Sequence, residues 1–278
     1  MIAPYKIYFN KRSSLEFDCL TELAFDSDSG NTESYLSKDA VFADSYDGSR
    51  RKLHGYKYNE VLVAQITLIK FDASDLTKEE SRAILSWLTS SKNGSFLSVY
   101  YDDSECVEYE LFGNFINCEQ YKLANGRVVG VVAEFECISP YAYSPLRSVT
   151  KSVTDSATFD IVSYSDELEG VVYPKITVTT IGDNDITIAH NGITTTVQTS
   201  SGEQEEPMVV EVKNNNAGET IIIDGANKII TSDRPNRTFA NNFSWNWLPF
   251  IVDKNSITVT GSCNITFEWR EPIKIGSV

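Results

Sequence analysis

Along the chain the spacing of apolar positions changes character near residue 140, and that change predicts two domains. Before it, Tyr5 to Phe9 reads as a short strand, Asn10-Lys11 as a turn, and apolar positions follow at Leu15, Phe17, Cys19, Leu23 and Phe25. Asp26 to Ser34, rich in Asp, Ser and Gly, predicts an exposed loop. Val61 to Phe71 (VLVAQITLIKF) is apolar at odd and even positions alike and rich in β-branched residues, which predicts a central strand covered on both faces. Thr77-Lys78-Glu79-Glu80 fits a capping box, and Ala83, Ile84, Trp87 and Leu88 then share one face of a helix of about four turns that closes near Lys92 and Gly94. Phe96–Tyr101 and Cys106–Phe112 read as strands joined by an acidic turn. Phe115–Leu123 and the run from Val128 read as a hairpin about Asn125-Gly126, both turn residues taking positive φ.

The stretch Val128 to Pro145 is the seam. Val129, Val131, Ala133, Phe135 and Cys137 alternate with Glu134 and Glu136, as in a strand with one wet face. Pro140 and Pro145 then bracket Tyr-Ala-Tyr-Ser, where fixed φ and missing donors stop a ladder. The expected division is residues 1–139, a linker over 140–148, and residues 149–278. Past the seam no helical period persists. Short β-rich runs recur with turn signals at Asn191-Gly192, 214–218, Asp224-Gly225 and Gly261-Ser262, which predicts an all-β sandwich or jelly roll.

Composition narrows the functional classes. The net charge is −15, shared as −8 over residues 1–140 (22 acids, 14 bases) and −7 over the remainder (17 acids, 10 bases), which disfavours a phosphate-backbone binder. Five scattered cysteines without a C-x-x-C pair argue against a zinc site or a disulfide framework. No apolar run approaches the roughly 20 residues that span a bilayer. No charged-apolar-small leader precedes Pro4, so folding in a cytoplasm is expected.

Catalytic signatures are missing. The two histidines, His54 and His190, sit in no nucleophile, metalloprotease or related motif, and no phosphate-binding glycine loop occurs. The expectation is a non-enzyme without cofactor or metal. Asp26-Ser27-Asp28-Ser29-Gly30-Asn31 resembles the start of a calcium loop, but its glycine falls at position five and Ser37 stands where a bidentate Glu is needed. Gly48 to Tyr58 (GSRRKLHGYKY) holds Arg50, Arg51, Lys52 and Lys57 with no acid; it reads as a solvated hairpin or as a surface that docks on an acidic neighbour. The exposed hairpin at Asn125 and Gly126 is a second candidate protein interface. Trp245 and Trp247 would share a face if extended, as core plugs or as a platform for sugar rings.

Taken in order, GSRRKLHGYKY, LTKEESRAILSWL, FLSVYYDD and FGNFINCEQYKLANGRVVGVVAEFECISPYAYSP, then ETIIIDGANKII and SITVTGSCNITFEWREPI, resemble the distal tail (Dit) proteins of long-tailed bacteriophages over nearly the whole chain. The resemblance implies a β-rich α+β protein. Its N-terminal domain would be a β-sandwich or split barrel with one amphipathic helix and a long hairpin, and its C-terminal domain a galectin-like β-sandwich. It further implies a tail-tip or baseplate hub in the virion: a homo-hexamer or two stacked hexamers, joining the tail tube protein to the tail-associated fibre or lysin protein. In some members the C-terminal domain holds receptor-binding proteins. DNA passes only as cargo, and no membrane is involved. The alternative is a carbohydrate-binding adhesion protein acting through its C-terminal sandwich.

Overall fold

The computed structural model describes residues 4–25, 38–47, 50–58, 61–103, 106–167, 170–199 and 202–275. The calcium-like stretch, the loop expected from Asp26 and residues 48–49 lie outside them. The chain forms two compact units: one runs to Pro145 and resumes at Ile273, and the other is Leu146–Pro272.

The first unit holds an antiparallel sheet, a two-stranded ribbon and, among the described residues, one α-helix. Its strands are β1 (Lys6–Phe9), β2 (Arg12–Ser13), β3 (Cys19–Phe25), β4 (Lys38–Asp47), β5 (Arg50–Tyr58) and β6 (Val63–Lys70), then, after helix α1 (Lys78–Leu88), β7 (Ser95–Tyr100), β8 (Tyr109–Lys122), β9 (Val128–Cys137) and β10 (Ala142–Tyr143). The sheet order is β2-β1-β7-β8-β9-β6-β3, with β10 on β8, while among the described residues β4 and β5 pair with each other alone. Ile7, Phe9, Leu23, Ala64, Ile66, Leu68, Leu97, Leu111, Val131 and Phe135 point inwards to one core. Phe9, Phe115 and Phe135 meet edge to face, with centroids 5.0–5.9 Å apart, Phe115 being half-buried against the core.

Helix α1 starts where its capping box places it. Thr77 Oγ1 accepts from the Glu80 amide and the Glu80 carboxylate accepts from the Thr77 amide, satisfying two N–H groups that have no partner within the helix. Ile84, Trp87 and Leu88 are buried against the sheet. Trp87 Nε1 donates to the Phe9 carbonyl at 2.7 Å, and its ring stacks on Phe17 at 4.9 Å. The helix is shorter than its sequence pattern suggests. It ends at Leu88, where Thr89 Oγ1 bonds the Leu85 carbonyl and leads the chain out, so Lys92 and Gly94 lie beyond it.

Two strand expectations change. The run from Val61 is internal to the sheet but buried on one face only: Ala64, Ile66 and Leu68 are inside, whereas Gln65 is exposed and Thr67 and Ile69 are half-buried. Two expected strands on either side of Gly113-Asn114 are one strand, β8, which runs through because Gly113 allows the backbone of Glu136 to approach; a Cβ there would lie 2.0 Å from its carbonyl oxygen. The segment 140–148 is structured. Tyr141 and Ala142 are buried, Tyr143 pairs with Glu110, and Arg147 opens the next strand.

The second unit is a two-sheet sandwich. One sheet is ordered β11 (Arg147–Val153), β19 (Cys263–Trp269), β13 (Lys175–Thr180), β16 (Thr220–Asp224), β17 (Ile229–Ser232); the other is β12 (Ser156–Ser163), β18 (Asp253–Thr260), β14 (Ile186–Thr199), β15 (Gly202–Val212). Inward residues of both sheets, among them Ile176, Val178, Ile188, Ile221, Ile257, Ile265 and Phe267, form its core. Asn191-Gly192 is not a hairpin turn. It forms an irregularity within β14, where the register on β15 shifts between His190 and Thr194.

Candidate functional site

The sheet of the first unit has a core face and an outer face, and strand register defines the outer one as rows across β3, β6, β9 and β8. Leu20, Ile69, Gly130 and Tyr121 form the first row; Glu22, Thr67, Val132 and Glu119 the second; Ala24, Gln65, Glu134 and Asn117 the third. A fourth, shorter row joins Val63, Glu136 and Asn114. Rows two to four thus carry Glu22, Glu119, Glu134 and Glu136 and no lysine or arginine. Glu22, Glu119 and Glu136 are exposed and Glu134 is half-buried. The first row differs: it holds Leu20, 53% exposed, with half-buried Ile69 and Tyr121. Gly130, itself buried, lets β6 approach, since a Cβ would sit 2.1 Å from the Leu68 carbonyl oxygen.

The basic segment becomes one strand of the β4–β5 ribbon. Register pairs Phe42 with Leu53 and Ala40 with Tyr56. One residue on β5, His54, is skipped between Leu53 and Gly55, and Gly55 takes φ +139°. That irregularity brings Phe42, Leu53 and Tyr56 to one face, all of them exposed. The Arg51 guanidinium lies 6.0 Å from the Phe42 ring centroid, and Lys52 and Lys57 are exposed. Arg50 opens β5 opposite Asp47. At the root, Tyr58 and Tyr141 bond through their hydroxyls and pack edge to face at 5.4 Å.

At the other hairpin, Asn125 and Gly126 are exposed, but the turn is wider than a two-residue type I′. Leu123 and Arg127 close it, only Gly126 has positive φ (+84°), and the Asn125 side chain accepts from the Arg127 amide. Arg127 reaches Asp75 at 2.7 Å, which ties the loop to the approach of α1. The hairpin joins β8 to β9, whereas the basic segment lies in the separate β4–β5 ribbon.

The two tryptophans have separate surroundings. Trp245 is 54% exposed at φ +57°, and Trp247 is half-buried; each packs edge to face on Phe243, at 5.5 and 5.3 Å. Trp247 also faces the Lys228 ammonium, which sits 3.2 Å from the Tyr173 ring centroid and 5.4 Å from that of Trp247. Burial lowers the pKa of Lys228. His190 is fully buried: the Gly192 amide donates to Nδ1, which leaves Nε2 to donate to Asn255 Oδ1 at 2.9 Å. Its role is structural. Among the described residues no group of three or more His, Cys, Asp or Glu is placed to hold a metal, and no helix is long and apolar enough to cross a membrane.

Sequence reading located the basic ribbon and half of the acidic face, through the alternation of Glu134 and Glu136. It missed Glu22 and Glu119, which reach that face only once β3 and β8 flank the two central strands.

Residues 5–139 match the family described as phage tail protein N-terminal domain, and residues 141–269 the phage tail C-terminal domain. Among solved structures, the Dit protein of phage SPP1, described as a paradigm of the hub adsorption apparatus in phages infecting Gram-positive bacteria, aligns with TM-score 0.60 and 12% identity over 95% of this chain and 98% of that one. A chain of the phage P2 baseplate in its activated conformation with calcium aligns with TM-score 0.53 and 10% identity, over 99% and 100% of the two chains. No curated protein matches.

Proposed function

The chain belongs to the phage tail protein family whose N- and C-terminal domains it matches, and from that premise we propose that it is a structural hub of the tail tip. In this reading its first unit assembles into a hexameric ring between the tail tube and the fibre or lysin protein below, and the ring leaves a channel for DNA. The observation that carries the reading is the outer sheet face. A wall that DNA must pass without adhering needs fixed negative charge and no cluster of Lys or Arg, because phosphate contacts are what retain DNA non-specifically. Rows two to four of the first unit have that chemistry. The full-length SPP1 Dit alignment supports it as a likeness of fold.

Native mass spectrometry of the purified chain tests the assembly: six copies, or a multiple of six, are expected, and a monomer at all concentrations would overturn it. A second reading rests on Trp245, whose exposed ring suits stacking on a sugar. Glycan-array binding lost in Trp245→Ala would support it, and binding unchanged in that variant would dismiss it.

A further inference from the structure

Three Asn-Gly pairs occur in the chain, at Asn93-Gly94, Asn125-Gly126 and Asn191-Gly192, and their surroundings differ. In such a pair the backbone nitrogen of the glycine, unshielded by a side chain, can attack the side-chain amide carbon of the asparagine before it. The reaction needs an amide free to leave, a donor for the oxygen on which negative charge develops, and a backbone able to turn.

Asn191 lacks the first and the last. Its Nδ2 donates to Ser256 Oγ at 3.1 Å and to Thr258 Oγ1 at 3.0 Å, and the Gly192 amide donates to Nδ1 of buried His190 within β14. Asn93 is exposed, but Gly94 packs on the Phe112 ring, which lies 3.3 Å from where its Cβ would stand. Asn125-Gly126 meets all three conditions. Both residues are exposed at the tip of the β8–β9 hairpin, and a Cβ on Gly126 would meet nothing within 4 Å. The Arg127 amide donates to Asn125 Oδ1 at 3.1 Å, where it would stabilise the oxyanion that forms on that atom. The Gly126 amide is held by a bond to the Leu123 carbonyl at 2.8 Å, a turn bond at a loop tip, which opens more readily than a strand ladder.

We propose that Asn125 is a self-modifying site, converted without an enzyme to aspartate and isoaspartate. The Gly126 nitrogen bonds to Asn125 Cγ and loses its proton to water, the Cγ–Nδ2 bond breaks and ammonia leaves, and water then opens the cyclic imide. One water is consumed for each ammonia released, nothing is oxidised or reduced, and the hairpin tip gains one negative charge. The new carboxylate competes with Asp75 for Arg127, which now holds Asp75 at 2.7 Å.

The test incubates the full chain at pH 8 and 37 °C and follows peptides covering the three pairs by mass spectrometry that separates aspartate from isoaspartate. Asn125 is expected to convert first, with isoaspartate among its products. Arg127→Ala keeps the amide donor and should convert within about twofold of the parent, whereas Arg127→Pro removes that donor and should convert about tenfold more slowly. A second measurement needs no variant: in the urea-unfolded parent the three pairs should convert at similar rates. Asn93 or Asn191 converting as fast as Asn125 in the folded protein would overturn the proposal. So would an Asn125 lead that persists in urea, or a folded Arg127→Pro protein that converts at the parent rate.

Discussion

Single residues set how closely strands approach in the first unit. Gly130 faces the Leu68 carbonyl oxygen so tightly that any side chain must displace β6. Gly130→Ala is therefore expected to destabilise the protein by about 1–3 kcal/mol, read as a lower midpoint in urea denaturation. A melt unchanged from the parent would show that the two strands have room to separate. Thiol chemistry also divides by position. Burial pushes Cys137 up to about 12 and Cys19 and Cys263 up to about 11, whereas Cys106 is exposed. At neutral pH a maleimide should label Cys106 first and leave those three unmodified until the protein unfolds. Five scattered cysteines outside any paired motif read as buried free thiols, which describes Cys19, Cys137 and Cys263 but not exposed Cys106 or half-buried Cys118.

At the scale of elements, local chemistry was legible wherever the signal was local. The capping box at Thr77 starts α1 where expected because both of its bonds lie within four residues. Thr77→Ala should cost about 1 kcal/mol of stability, measurable by chemical denaturation. The hydrogen bond from Lys70, then that from the Thr77 amide, lowers the pKa of Glu80 to about 2. A carboxyl depressed by folding stabilises the folded state above its ordinary pKa and loses that contribution as pH falls through the folded value. Glu80→Gln should accordingly narrow the stability gap between pH 7 and pH 2, and an identical pH profile in the variant would remove Glu80 from the account. Non-local features were less legible. Val61–Phe71 reads as covered on both faces because its wet positions include Val63, Thr67 and Ile69, and β-branched residues suit an exposed sheet face as well as a core. Asn191-Gly192 has the composition of a turn, but the strand pairing on both sides absorbs it into β14 as an irregularity.

For the whole molecule, the order of motifs along the sequence resembles a phage tail protein, and both family matches agree with it. The acidic face was only half visible, because period-two alternation tells which residues share a face within one strand. Which strands lie side by side depends on pairing over long sequence separations. That pairing is what gathers Glu22, Glu119, Glu134 and Glu136 onto one surface. Electron cryo-microscopy of the proposed ring is the most direct test of the central claim. The account predicts a channel wall formed by the outer sheet face, with Glu134 and Glu136 towards the lumen; a lumen lined by Lys and Arg, or these two residues on the ring's exterior, would contradict it.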